Sequence, residues 1–215
     1  MLARLVLLST LFTSGPRAGV IDRVAVTLDS QIITESEIAQ EIRLAAFLND
    51  DPPEFSPESR KKAADRLIEQ KLIRREMQLG RYLGPNKDDV ETMLKQVQAQ
   101  RFQSPEAYRG ALEKYDLTEG DLKDYLLWQL TLLRFIDTRF RPGVQVTDDE
   151  IRATFESQLA KLENTADPGK SLKLEDRRDQ IRETLINQRV DQQLDEWLDA
   201  TRKRTRIQFH PEAFQ

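Results

Sequence analysis

The spacing of apolar residues changes period within the first fifty positions. Val24, Val26 and Leu28 alternate with Arg23, Ala25 and Thr27, the period of two expected of a strand with one buried face. Asp29-Ser30 supplies turn chemistry and Gln31-Ile32-Ile33 is apolar and β-branched again, so the segment predicts a small hairpin. Thr34 then opens T-E-S-E, a capping box in which the hydroxyl accepts from the third helical amide and Glu37 reaches back. A helix is expected from there to about Leu48. A lone hairpin is marginal in water, and one other segment offers a good strand, Thr205 to Phe209 near the far end. Chain start and chain end are therefore expected to meet in one small sheet, with helices strung between them.

Those helices are well punctuated. Asp50-Asp51-Pro52-Pro53 is a loop, and Ser56-Pro57 and Ser104-Pro105 each give an N-cap followed by proline at the first helical position. After Ser56, the residues Ala64, Leu67, Ile68, Leu72 and Ile73 fall on one stripe, ending near Gly80–Gly84. Further helices are predicted over about Lys87–Phe102, from Pro105, from Thr118 to Phe140, and from Thr147. The last long one runs from Glu175 to about Arg204. Breaks at Pro and Gly recur and no heptad is sustained, which argues against a coiled-coil tether.

The Thr118–Phe140 helix has the widest apolar face. Leu122, Leu126, Leu130, Leu133, Ile136 and Phe140 form one stripe, and Tyr125, Trp128, Leu132 and Phe135 widen it. The arc is roughly 220°, where a surface helix needs about 100°. Such a helix is either central to the core or covered on only part of its apolar face. The aromatic edge is the candidate binding surface.

Composition narrows the chemistry. The 215 residues include 33 basic and 37 acidic side chains, a formal charge of −4. The one basic block, RKRTR at 202–206, falls at a helix end where cations face the dipole, so no nucleic-acid partner is expected. Cysteine is absent, which excludes thiolate catalysis, disulfides and cysteine-based zinc sites. The one histidine, His210, lies in what reads as a polar tail, and no spacing of carboxylates singles out a catalytic pair. No metal and no cofactor are expected, and of enzymatic chemistry only catalysis by carboxylates stays open at this level.

The first residues bear on location. Arg4 precedes the apolar run Leu5–Phe12, and small residues follow near Ala18-Gly19. That is the pattern of a secretory signal peptide over residues 1–19, the other reading being a buried N-terminal helix. The run is far short of the roughly 20 apolar residues that span a bilayer. Removal of Arg4 and Arg17 takes the formal charge from −4 to −6.

Taken in order, these segments resemble the SurA family of periplasmic chaperones, and more broadly the chaperone modules of SurA-like, PpiD-like and PrsA-like folding factors. The resemblance is carried by VIDRVAVTLDSQIITESEI, by RLIEQKLIRREMQLGRYLG, by FQSPEAYRGALEKYDLTEGDLKDYLLWQLTLLRFI, by VTDDEI, and by the closing RRDQIRETLINQRVDQQLDEWLDATRKRTRIQF. No single motif is a sharp signature; the ordered combination carries it, over nearly the whole chain after residue 19. The implied fold class is mainly α: a multi-helix chaperone module with a small β-sheet formed by the N-terminal hairpin and a C-terminal strand. The domain is expected to span 20–215, with a helical core over about 35–161, a short connector over 162–174, and a closing helix and strand over 175–209.

In relatives, one or two parvulin-type prolyl isomerase domains usually follow a segment like VTDDEIRATFE. Here 24 residues separate Glu150 from Glu175, where such a domain needs on the order of a hundred. The resemblance thus implies an ATP-independent periplasmic holdase for unfolded polypeptides, outer-membrane proteins among them, without isomerase activity. Candidate client contacts are Phe102, Tyr108, Tyr125, Trp128, Leu132 and Phe135, whereas Trp197 and Leu198 are expected to pack the closing helix into the core. The rival reading is a dedicated structural partner of an envelope assembly complex. A homodimer formed by exchange of the long helices stays open.

Overall fold

Strand β1 (Val24–Leu28) turns at Asp29-Ser30 into β2 (Gln31–Thr34) in the computed structural model, which describes residues 22–163 and 173–215. Asp29 makes the turn by adopting φ 48°, the left-handed region that aspartate tolerates. Its carboxylate then accepts from the Arg206 amide at 3.0 Å and from Arg75 at 2.7 Å. Those bonds, Arg75 first, hold the Asp29 carboxyl below its ordinary value. One turn residue thereby fastens the hairpin to both the C-terminal segment and a helix.

β3 (Ile207–Phe209) pairs antiparallel with β1, placing Val26 opposite Phe209 and Leu28 opposite Ile207, in the sheet order β2-β1-β3. Chain start and chain end do meet in one sheet. Two local expectations need correction. Ala25 is fully buried rather than outward, because a register shift between Val24 and Val26 breaks the alternation and the helical turn Pro211–Phe214 packs on β1. His210 is not in a loose tail: its amide donates to the Ala25 carbonyl at 2.9 Å, and its Nε2 lies 3.0 Å from the Thr27 hydroxyl.

Seven α-helices follow among the described residues: α1 (Glu35–Asn49), α2 (Pro57–Leu79), α3 (Lys87–Arg101), α4 (Pro105–Lys114), α5 (Glu119–Arg139), α6 (Asp148–Glu163) and α7 (Leu174–Arg204). The chain is thus mainly helical, with a small antiparallel sheet. The start signals act as their chemistry requires. Thr34 with Glu37 and Thr118 with Asp121 close capping boxes, and Ser56 and Ser104 cap helices that open on proline. α1 stops where Asp50 turns left-handed at φ 58°, ahead of Pro52-Pro53.

Four apolar clusters hold these elements together. The first joins the sheet to the N-terminal halves of α1 and α2 through Val26, Ile33, Ile38, Ile42, Ala64 and Ile68. The second gathers the C-terminal half of α1 with α3, α4 and the start of α5, around Phe47, Leu94, Leu112, Leu122 and Leu126. The third packs the ends of α2 and α5 against α7, with Ile73, Met77, Phe135, Phe140 and Val190. The fourth, Ile151, Phe155 and Ile181, belongs to α6 and α7 alone. Burying each such side chain contributes about 1.5–3 kcal/mol.

The wide arc of α5 now has a cause. Its N-terminal half buries Leu122 and Leu126 in the second cluster, and its C-terminal half buries Trp128 and Phe135 in the third. The two halves use roughly opposite faces of one helix. Leu133, on the same stripe as Leu122 and Leu126 by period, is 55% exposed, so only the first half of that stripe is covered.

α6 is tied to α7 by charge as well as by its small core. Thr147 caps α6 and its amide donates to Glu150 at 2.9 Å, while Arg189 of α7 engages the same carboxylate and Arg178 reaches Asp148 at 2.5 Å. The Thr147 amide and Arg189 hold the Glu150 carboxyl down at about 2. The signal peptide expected over 1–19 lies outside the described residues, as does most of the connector, 164–172. No helix among the described residues is long and apolar enough to cross a membrane.

Candidate functional site

Four helices each turn one face toward a shared groove of about 460 Å³. α1 contributes Glu41, Ala45, Leu48 and Asn49; α2 contributes Arg66, Glu69, Gln70 and Ile73; α5 contributes Tyr125, Trp128, Gln129 and Leu132; α7 contributes Leu194 and Leu198. Each lining residue has another three or four positions away on its helix, which is how a helix presents one surface. Apolar and aromatic groups line most of the groove, and glutamines, arginines and carboxylates stand among them. Concave sites that bind by apolar burial with a few polar groups for orientation have this composition.

Trp128 lies deep in the groove. Its residue is only 5% exposed, so against the expectation of a client contact it offers little surface and forms the floor, with the Arg74 guanidinium of α2 5.1 Å from its ring centre. Tyr125 and Leu132 are half-buried beside it. Burial, with the nearby Glu41 charge, pushes the Tyr125 phenol up. Glu41 pairs with Arg66 at 2.7 Å. Glu69 pairs with Arg202 at 3.2 Å, yet its carboxyl is pushed up, because loss of water outweighs that cation and Asp65 and Asp195 add repulsion.

The six residues singled out from sequence separate into three groups. Tyr125, Trp128 and Leu132 line the groove together. Phe102 and Tyr108 border a different depression of about 480 Å³ at the junction of α3 and α4. There Phe102 lies between Phe47, at 6.0 Å between ring centres, and Tyr108, at 5.4 Å. Tyr108 is buried, so it offers little surface. Phe135 corrects the expectation outright. It is fully buried, ringed by Tyr82, Phe140 and Trp197 at 5.4–5.6 Å between centres. The reason is α7, whose Trp197 covers the C-terminal half of α5 as the sequence led us to expect.

Sequence reasoning missed the α1 and α2 walls. Ala45 and Leu48 flank the buried stripe of α1, and Glu69 and Gln70 flank that of α2, on which Ile73 lies, and the packing of α1 on α2 brings them to one groove. Leu198, expected as core, does pack on the third cluster but also lines the groove. No group of three metal-ligating side chains occurs among the described residues. The chain matches no family model and no curated protein sequence.

Proposed function

We propose that the protein is an ATP-independent holdase of the periplasm that shields unfolded polypeptides, outer-membrane proteins among its clients, and does not isomerise prolyl bonds. The observation that carries this reading is the four-helix groove with Tyr125, Trp128 and Leu132 on its α5 wall. Unfolded β-barrel chains expose alternating apolar and aromatic segments that aggregate through their edges. A client segment burying on the order of 400 Å² of apolar surface gains about 10 kcal/mol. Ordering and association cost a comparable amount. The net affinity is weak and quickly reversible, which suits capture and release without nucleotide.

The missing isomerase rests on the short span between α6 and α7. Nine residues, 164–172, join Glu163 to Lys173, and a catalytic domain needs roughly ten times that. The periplasmic assignment rests on the leader-like pattern of residues 1–19.

The test is light scattering of a urea-unfolded outer-membrane barrel protein diluted into buffer with and without the purified protein. Suppression at near-stoichiometric ratios, without nucleotide, is the expected result. No suppression at large excess of folded protein overturns the reading in favour of a dedicated partner of an envelope assembly complex.

A further inference from the structure

The helices that shape the groove also fix the charge of its rim. Glu41, Arg66 and Glu69 line the groove, and Asp65, Asp195 and Arg202 stand close enough to Glu69 to act on its charge. Arg66 is engaged by Glu41 at 2.7 Å. Arg202 is shared, reaching Asp65 at 2.5 Å and Glu69 at 3.2 Å. Asp195 makes no ion pair among the described residues. It stands on α7 next to Leu194 and one turn from Leu198, the two leucines that face the groove. Arg74 does not redress the balance, because it lies against the Trp128 ring and lines the grooves on its other sides. An apolar floor is thus bordered by carboxylates in excess of cations. The Glu69 carboxyl is pushed up chiefly by its loss of water, with Asp65 and Asp195 adding repulsion against the pull of Arg202 and Arg66.

We propose that this groove selects client segments in which a lysine or arginine flanks the aromatic or aliphatic residues that fill it. The inference rests on the holdase reading of the same groove. The apolar side chains of the client settle between the half-buried Leu48, Tyr125 and Leu132. The flanking aliphatic stem lies along Leu194 and Leu198 and carries its charge to Asp195 and Glu69, as long basic side chains do when an apolar surface borders an acidic one. An acidic flank meets like charge at the same place and is disfavoured. The rim therefore confers specificity and the floor affinity.

Three fluorescent peptides with one shared apolar, aromatic centre and flanks of lysine, serine or glutamate test this by anisotropy with the purified protein. The order Lys, Ser, Glu is expected, with a Lys-to-Glu ratio of about tenfold at roughly 20 mM salt, falling to about twofold near 0.5 M. Asp195→Lys, at an exposed position, is expected to bring the low-salt ratio close to about twofold. Glu156→Lys, an equal change of net charge on the exposed face of α6, is expected to leave most of the ratio intact. Glu69→Gln provides a second rim variant if Asp195→Lys proves unfolded by circular dichroism. Equal binding of all three peptides overturns the charge preference and leaves the holdase reading standing. So does a ratio that Asp195→Lys and Glu156→Lys lower alike, since the preference then belongs to overall charge. If no peptide binds to the folded protein, the groove reading itself fails.

Discussion

Replacing Phe135 by alanine separates core from contact surface most sharply. The side chain is fully buried, with Tyr82 and Phe140 at 5.6 Å and Trp197 at 5.4 Å between ring centres. Loss of a buried phenylalanine costs about 3–5 kcal/mol, cavity included, and each of the three aromatic pairs contributes about 0.5–1.5 kcal/mol of specific geometry. Against a typical stability of about 5–15 kcal/mol the loss is severe. With a urea slope of about 2 kcal/mol per M, the unfolding midpoint should fall by about 1.5–2.5 M. Urea titration followed by tryptophan fluorescence is the assay, since Trp197 lies against the deleted ring. Leu133→Ala, two residues earlier on α5 and 55% exposed, serves as the control and should move stability by about 0.5 kcal/mol or less. A Phe135→Ala midpoint within about 0.3 M of the parent refutes the claim that α7 seals this half of α5. Wherever the variant remains folded, it should suppress client aggregation as the parent does, because the ring does not reach the groove.

Leu132→Ser removes a groove side chain that is half-buried; aggregation suppression should weaken several-fold at a stability loss of about 1 kcal/mol, measured by light scattering and urea titration together. The Glu150 carboxyl lies at about 2 in the folded chain against an ordinary 4.5. Its stabilisation is therefore complete above pH 4.5 and is lost as pH falls from there toward 2. The melting-temperature gap between parent and Glu150→Gln should be constant above about pH 5 and shrink below about pH 4. Thr118→Ala breaks the capping box that starts α5 and should cost about 1 kcal/mol by urea titration. Prolyl exchange in a test peptide should proceed at its uncatalysed rate, and measurable acceleration would contradict the proposal that the protein does not isomerise prolyl bonds.

Local chemistry made most of the fold legible. The Thr34 and Thr118 capping boxes and the Ser-Pro starts at 56 and 104 act within one helical turn, so their signals survive in sequence. Pairing of the termini was legible for a different reason: a hairpin with no partner needs one, and only Thr205–Phe209 could supply it. What escaped depends on long-range packing. The buried side of α5 changes halfway along because α1, α3 and α4 flank one end and α7 the other, and no periodicity within the helix marks that change. His210 read as tail because HPEAFQ is locally polar, whereas the β1–β3 register places its amide on Ala25. The groove was half legible. Its α5 wall stood out as aromatic, but the α1 wall contains only Ala45 and Leu48 as apolar groups, too ordinary to notice before α1 is laid on α2.

Because the chain has no cysteine, a single thiol can be placed at will. Gln129→Cys puts a thiol-linked photo-crosslinker on the groove wall, and Gln188→Cys puts the same probe on an exposed part of α7. Each is mixed with a urea-diluted outer-membrane barrel protein and irradiated. The account predicts strong client adducts from position 129, displaced by an excess of apolar peptide, and few from position 188. Equal adduct yields from the two positions, or adducts from position 188 alone, would contradict the claim that this groove holds unfolded chains.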